Sequence, residues 1–290
     1  MTRMGLARPK VNLFLHVTGK RQDGYHLLES LACFADGGDR ITVTASEDMS
    51  LFETGPFAAE TGCQSRNLVL LAADQLKQKS GIQVGARILL EKNIPVASGI
   101  GGGSADAAKT IELLCDLWDL KLPAAKLQQI AGTLGADVPV CLKGQTALMS
   151  GIGDHLESVA GLPDFSMLLI NPGIAVSTAQ VFRTMALPDE KLTVPDFSGM
   201  DQLSFFEALG QCRNHMQPAA LALAPQIGAV LEVLETEGDC KLSRMSGSGA
   251  TCFGLFRTLE QAQQTQRRIQ EQHPHWWTLA SCIEGDAEKV

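Results

Sequence analysis

The stretch P-V-A-S-G-I-G-G-G-S-A-D-A-A at residues 95–108 constrains this chain more than any other. Before it, residues 85–91 (GARILLE) read as an apolar strand; after it, Ala108, Ile111, Cys115 and Trp118 recur at helical spacing. Gly99, Gly101, Gly102 and Gly103 thus stand between a strand and a helix that Ser104 is expected to open. Glycine is costly inside regular structure, so four together need a reason. Without Cβ atoms, backbone N–H groups can approach a ligand closely, and the free N–H groups and positive end of the next helix favour phosphate. A di- or triphosphate suits such a loop.

Two common phosphate loops fail on spacing. A Walker loop ends in Gly-Lys-Ser/Thr, whereas the nearest such pair, Lys109-Thr110, follows alanine. A dinucleotide loop ends in glycine or alanine at its sixth position. Counting from Gly99 or from Gly101, that position is Ser104 or Asp106.

Composition narrows the partners. The chain has 290 residues, 24 basic and 32 acidic, for a net charge of −8. That argues against nucleic acid or a membrane surface as the main partner, yet a few lysines and backbone amides can hold an anionic small molecule. No run approaches eighteen apolar residues, so no membrane span is expected. The start, MTRMGLARPKVNLFLHV, is broken by Asn12 and His16 and is not read as a signal peptide. The eight cysteines include no C-x-x-C, which disfavours structural zinc and thioredoxin-type chemistry. Cys115, Cys141 and Cys252 lie in apolar contexts and are expected in the core, as suits a reducing cytoplasm. No resident metal site is expected.

Length suits two domains, placed at 1–155 and 156–290. Residues 6–17 alternate as a strand: Val11, Leu13, Leu15 and Val17 on one face, Lys10, Asn12, Phe14 and His16 on the other. Further strands are expected at 39–45, 85–91, 145–151, 166–171, 240–244, 251–256 and 276–283. Helices are expected at 66–79, after the glycine run, from Pro123 to Gly135, and at 203–213, 225–236 and 259–272. Residues 187–201 read as loop. Helices and strands mix throughout, so the class is α+β or α/β.

Three smaller features remain ambiguous alone. Ser246-Gly247-Ser248-Gly249, between two strands, reads as a second ligand loop or a hairpin turn. In L-G-A-D-V-P (134–139), Asp137 reads as a functional carboxylate or as the N-cap of a short helix. Lys10 and Asn12 share a strand face, either toward one polar site or simply exposed.

Taken together, the chain resembles the GHMP kinases, named for galactokinase, homoserine kinase, mevalonate kinase and phosphomevalonate kinase. The carriers are A-R-P-K-V-N-L near the start, the central loop at 95–108, and S-R-M-S-G-S-G-A at 243–250. P-K-V-N-L-F-L-H-V-T-G-K-R-Q-D-G-Y-H, L-G-A-D-V-P and N-P-G-I-A-V-S-T-A-Q-V-F (171–182) bring it nearest the branch acting on a cytidine-diphospho sugar alcohol. The pieces fall in family order from residue 9 to 250.

The resemblance implies a two-domain α+β fold: an N-terminal ATP-binding domain like ribosomal protein S5 domain 2, and a ferredoxin-like C-terminal substrate domain. It implies ATP-dependent phosphorylation of the substrate's 2-hydroxyl, on the methylerythritol phosphate route to isoprenoid precursors. Mg²⁺ would be carried mainly by the nucleotide phosphates. The protein would be cytoplasmic, a monomer or weak homodimer. Lys10 and Asp137 would be the catalytic pair, with Asn12 touching substrate. Tyr25 and Phe182 would sandwich the cytosine, and His26 would bond its edge. Gly247, Ser248 and Gly249 would close over the substrate diphosphate. Pro95, Gly99, Gly101, Gly102, Gly103 and Ser104 would cradle ATP phosphates; Asn67, Leu68 and Lys92 would lie on the adenosine side. The alternatives are a mevalonate or homoserine kinase type, or a catalytically silent nucleotide-binding relative. Ser98, Ile100 and His215 depart from the usual pattern; position 215 is often aspartate in relatives.

Overall fold

Pro9 has no N–H to give a β-ladder, and it divides the strand expected over residues 6–17 in two. The computed structural model describes residues 1–188 and 192–285. Strands β1 (Thr2–Ala7), β2 (Lys10–Lys20), β3 (His26–Phe34), β4 (Asp39–Ser46) and β5 (Ser50–Thr54) come first. Helix α1 (Leu68–Ser80), strand β6 (Gly85–Glu91) and helices α2 (Gly102–Leu117), α3 (Ala124–Leu134) and α4 (Val138–Lys143) follow. Next are β7 (Ala147–Ser150), β8 (His155–Ser158), β9 (Phe165–Asn171), α5 (Thr178–Thr184), α6 (Gln202–Gln211), α7 (Gln217–Leu223) and α8 (Gln226–Thr236). The last are β10 (Leu242–Met245), β11 (Cys252–Phe256), α9 (Leu259–Gln272) and β12 (Trp277–Ile283).

Two compact units share these elements. The first comprises Met1–Lys10, Gly37–Val96 and Gly101–Gly144; the second comprises Val11–Asp36, Ala97–Ile100 and Gln145–Val290. The chain therefore crosses between units at Lys10 and inside the glycine run.

The first unit holds a four-stranded sheet in the order β1-β4-β6-β5, antiparallel except for the parallel β5–β6 pair. Helix α2 packs on β1, β4, α1 and α4. Its first turns bury Ala105, Ala107, Ala108 and Ile111, small residues that allow close approach to the sheet. The expected stripe continues through Leu114 rather than Cys115, which is half-buried, because several elements surround this helix instead of one face. The helix also begins at Gly102, before Ser104, since Gly101 takes the N-cap with φ +63°.

The second unit holds two sheets, β2-β3-β7-β8 and β10-β11-β9-β12. The latter is antiparallel throughout. Its strands are linked strand, helices, strand, strand, helix, strand, which is the ferredoxin-like arrangement. Helices α8 and α9 pack on it, and a Thr258–Gln261 capping box starts α9. Described residues of the expected 187–201 loop carry neither helix nor strand; 189–191 lie outside the described residues.

β2 is buried from Lys10 through Val17 on both faces, not one. Leu15 and Val17 join the helical core cluster of the second unit, while the Phe14 ring lies 6.0 Å from Phe197. Buried Arg244 on β10 fixes this strand's backbone. It donates to the carbonyls of Leu13 (2.6 Å), Leu209 (2.9 Å) and Cys212 (2.6 Å). Burial pulls its pKa down to about 10, still charged at neutral pH. Arg244→Met strands three buried carbonyls, and the expected loss is about 3 kcal/mol or more. Urea unfolding measures it; a loss under about 1 kcal/mol would show that water replaces the guanidinium.

Candidate active site

In the first unit the central feature is an ion pair beside a left-handed glycine. Lys10, first residue of β2, places Nζ 3.1 Å from Asp137 Oδ1. The lysine side chain is 5% exposed and the aspartate side chain 40%. Asp137 does occupy the N-cap position of α4, but its side chain makes no capping hydrogen bond. The carboxylate is turned to Lys10 instead, so its side chain does not act as the helix cap. A Cβ built on Gly101 would lie 3.4 Å from Lys10 Cε and 3.9 Å from Asp137 Oδ2, so the pair borders the start of α2.

At that start the requirement for glycine is conformational. Gly101 has φ +63°, and no side chain caps the helix. The N–H groups of Gly102, Gly103 and Ser104 lack intrahelical acceptors and point out of the helix end. Leu68 packs its Cδ1 3.6 Å from the position a Gly103 Cβ would take. Asn67 caps α1 through the Val69 N–H (2.9 Å) and donates to Glu53 (2.9 Å), so its amide is engaged at both ends.

Lys92 is placed differently from its expected role toward adenosine. It is 3% exposed, and its ammonium is shared by Asp39 and by Asp106 Oδ2 (2.8 Å). Asp39 Oδ1 accepts the N–H groups of Asn93 (2.6 Å) and Ile94 (3.0 Å), fixing the chain just before buried Pro95. Asp106 stands in α2. The three side chains thus tie strand ends and helix together beneath the glycine run. Burial opposes the Lys92 charge, but Asp106 and Asp39 outweigh it and raise its pKa. The Asp106 carboxyl is pushed up to about 8, because burial exceeds the pull of Lys92 and the Asp39 charge adds. Its Oδ1 is buried with no hydrogen-bond partner.

In the second unit, β2 meets both glycine loops. The Asn12 N–H donates to Ser246 Oγ (3.0 Å), and the Asn12 amide donates to Ser30 Oγ (2.7 Å). Ser246 Oγ donates to the Gly99 carbonyl (3.2 Å), and the Thr251 N–H donates to the Ser98 carbonyl (3.1 Å). Gly99 has φ +76°, and a Cβ there would fall 2.6 Å from Gly249 O and 2.7 Å from Ser246 O. Only glycine permits this contact between the two loops. Ser248 Oγ shares a hydrogen bond with Thr178 Oγ1 (2.7 Å) at the start of α5. One turn later on α5, Phe182 stacks on His26, with centroids 4.4 Å apart and planes 13° apart. Burial, then the Lys20 charge, lowers the His26 pKa, leaving it neutral at pH 7. Tyr25 is 58% exposed, and no ring stacks on it among the described residues.

Sequence reasoning missed Asp39, Asp106, Thr178, Ser246 and Asn214, all ordinary polar residues whose partners are remote in sequence. Asp106, Thr178 and Ser246 lay inside motifs that drew attention, but no role was read for them there.

Comparison with known proteins follows the same outline. The chain matches the GHMP kinases N terminal domain over residues 67–145 and the GHMP kinases C terminal family over 195–275. A 4-diphosphocytidyl-2-C-methyl-D-erythritol kinase of Parvibaculum lavamentivorans is 46% identical, over 96% of this chain and 97% of the relative. One from Cereibacter sphaeroides is 48% identical, over 96% and 98%. A crystal structure of 4-(cytidine 5'-diphospho)-2C-methyl-D-erythritol kinase superposes with TM-score 0.77 at 32% identity, over 98% of this chain and all of that one. A homoserine kinase from Cytophaga hutchinsonii, at TM-score 0.70 and 17% identity, shares the fold.

The buried triad has a pH signature. An acid whose folded pKa lies above its ordinary value supports the fold fully below about pH 4, and that support is lost as pH rises toward 8. Asp106→Asn cannot ionise and keeps an oxygen for Lys92. Its stability relative to the unsubstituted chain should improve from about pH 4 to 8 and level off above. A difference constant with pH, by urea unfolding, would remove this assignment.

Proposed function

This chain belongs to the GHMP kinases, in the branch of the 4-diphosphocytidyl-2-C-methyl-D-erythritol kinases, and from that premise we propose how its residues carry the reaction. It is an ATP-dependent kinase of the methylerythritol phosphate pathway. The acceptor is the 2-hydroxyl of 4-diphosphocytidyl-2-C-methyl-D-erythritol. The Lys10–Asp137 pair beside the uncapped end of α2 is the observation that supports the residue roles most directly.

In this reading the N–H groups of Gly102, Gly103 and Ser104 receive the ATP phosphates, where the helix dipole favours negative charge. The substrate hydroxyl lies at Asp137, which takes up its proton or aligns it. The oxygen bonds to the γ-phosphorus as the bond from that phosphorus to the β,γ-bridging oxygen breaks, and ADP leaves. Lys10 offsets charge at both carboxylate and phosphoryl group; transfer of this kind depends on positioning and charge neutralisation more than covalent help. A Mg²⁺ ion brought with the nucleotide would neutralise phosphate charge and keep mostly phosphate and water ligands. Asp137 and Ser104 are the hard oxygen donors suited to it along this loop. Lys92 supports the loop from below rather than touching adenosine, since both acidic neighbours occupy its ammonium.

Asn12 touches the substrate two residues along β2 from Lys10. Gly247, Ser248 and Gly249 close on its diphosphate. Cytosine lies between Tyr25 and Phe182, which requires His26 to swing off Phe182 and bond the base edge instead. Neutral His26 offers one donor and one acceptor for that edge. Residues 1–155 serve ATP and 156–290 complete the substrate side. The enzyme works in the cytoplasm as a monomer or weak homodimer, apart from nucleic acid and membrane. No helix among the described residues is long and apolar enough to cross a membrane.

An ADP-release assay with the cytidyl substrate, mevalonate and homoserine in parallel tests the reading; turnover should be confined to the first. Asp137→Ala should lower turnover by about a thousandfold while the protein stays folded, and near-full activity would sink its role. Tyr25→Ala should raise the KM of the cytidyl substrate by about tenfold, the lower part of what a stacked ring contributes, with the KM of ATP unchanged. An unaltered KM would remove Tyr25 from the pocket.

A further inference from the structure

Residues 213–215 lie along one edge of β2 and connect it to the C-terminal glycine loop. The Leu15 N–H donates to the Arg213 carbonyl and the His215 N–H to the Leu15 carbonyl, each at 2.9 Å. Together they form a single parallel bridge between Leu15 and Asn214. The next outward N–H of β2 belongs to Val17, and it donates to His215 Nδ1 at 2.9 Å. The imidazole nitrogen takes the place that a strand carbonyl would hold in a continued ladder. With Nδ1 accepting from Val17, Nε2 is the ring's donor. His16 stacks on this ring, with centroids 5.2 Å apart, and holds its own Nε2 toward the Arg213 N–H (3.2 Å).

Asn214 reaches to the loop. Its amide group donates to the carbonyls of Met245 and Gly247, both at 2.8 Å, and its Oδ1 accepts the Met216 N–H at 2.9 Å. These carbonyls flank Ser246, the residue joined to Asn12 and Gly99. Gly247 itself is tightly placed: a Cβ there would fall 2.6 Å from Gly99 O. Two adjacent side chains, one toward each partner, therefore set the register between the substrate strand and the loop proposed to cover the diphosphate.

We propose that Asn214 and His215 are positioning residues of the phosphoryl transfer, a splice holding the C-terminal glycine loop against β2, and that position 215 serves it as a hydrogen-bond acceptor toward the Val17 N–H. The proposal rests on the kinase reading above. Chemistry sets what can replace each residue. Asn214 must donate twice, which aspartate cannot do. His215 must accept once. An aspartate Oδ stands the same number of bonds from the backbone as Nδ1, so a carboxylate meets the need and alanine does not.

Steady-state kinetics of the full chain, with urea unfolding alongside, tests this. Asn214→Ala should lose ten- to a hundredfold in kcat/KM for the cytidyl substrate, as expected for a small displacement of positioning groups, while the KM of ATP moves less than about threefold. If that variant does not fold, Asn214→Asp reads the same loss of donors at constant size. His215→Ala should lose about fivefold, a smaller displacement of the same kind, and His215→Asp should recover most of it. Amide hydrogen exchange gives a readout independent of turnover: Val17 should exchange about tenfold faster in His215→Ala and regain protection in His215→Asp. The splice is overturned if both Asn214 variants keep full kcat/KM, if ATP and cytidyl substrate weaken equally, or if His215→Asp behaves as His215→Ala in exchange. An unsubstituted chain that turns over no cytidyl substrate overturns the kinase reading instead, and the exchange experiment still decides the splice.

Discussion

The uncapped start of helix α2 is the constraint on which the first unit is arranged. A helix end with free N–H groups is a receptor for negative charge, and it stays one only if the protein's own side chains leave it alone. Gly101 meets that condition by turning the chain with φ +63° and contributing no capping oxygen. The acidic residues nearby are otherwise occupied: Asp39 and Asp106 by Lys92, Asp137 by Lys10. Each carboxylate that could fold back on the helix end is held by a lysine.

The two lysines divide the work by solvation. Lys92 is sealed in with two carboxylates, where burial makes any unpaired charge expensive, so its task is structural. Lys10 is buried to the same degree, but its partner Asp137 keeps a side chain 40% exposed, so that carboxylate faces solvent. Lysine and aspartate occur in both places; the exposure of the carboxylate separates the buried brace from the pair at the start of α2.

In the second unit, backbone contact takes the place of charge. Gly99 and Gly249 approach too closely for any Cβ, and Ser246 bridges Asn12 and Gly99. Asn214 donates to the Gly247 carbonyl and Thr178 shares a hydrogen bond with Ser248 at the loop, while Arg244 ties β2 to the carbonyls of Leu209 and Cys212. His215, a departure from the pattern of relatives, acquires a physical reading through the Val17 N–H.

Much of this was legible along the chain. Apolar pattern and turn residues located β6, α3, α9 and the last three strands, because each is a run long enough to be bounded by its neighbours. The glycine run stood out because glycine there has no local justification, and the motif order identified the family. Short elements such as β5, β8, α5 and α7 escaped, since a few residues cannot establish a period. Pro9 was visible, but its effect on the 6–17 strand depended on which sheets the two halves join. Lys92 and Asp137 show the limit most clearly. Sequence determined that a lysine and an aspartate stand beside the loop, but tertiary structure decided that Lys92 is buried between Asp39 and Asp106 while Asp137 turns from its helix to Lys10. The reason is that a charged side chain takes its role from partners and solvent brought to it by residues 14 to 127 positions away, and no local pattern encodes those.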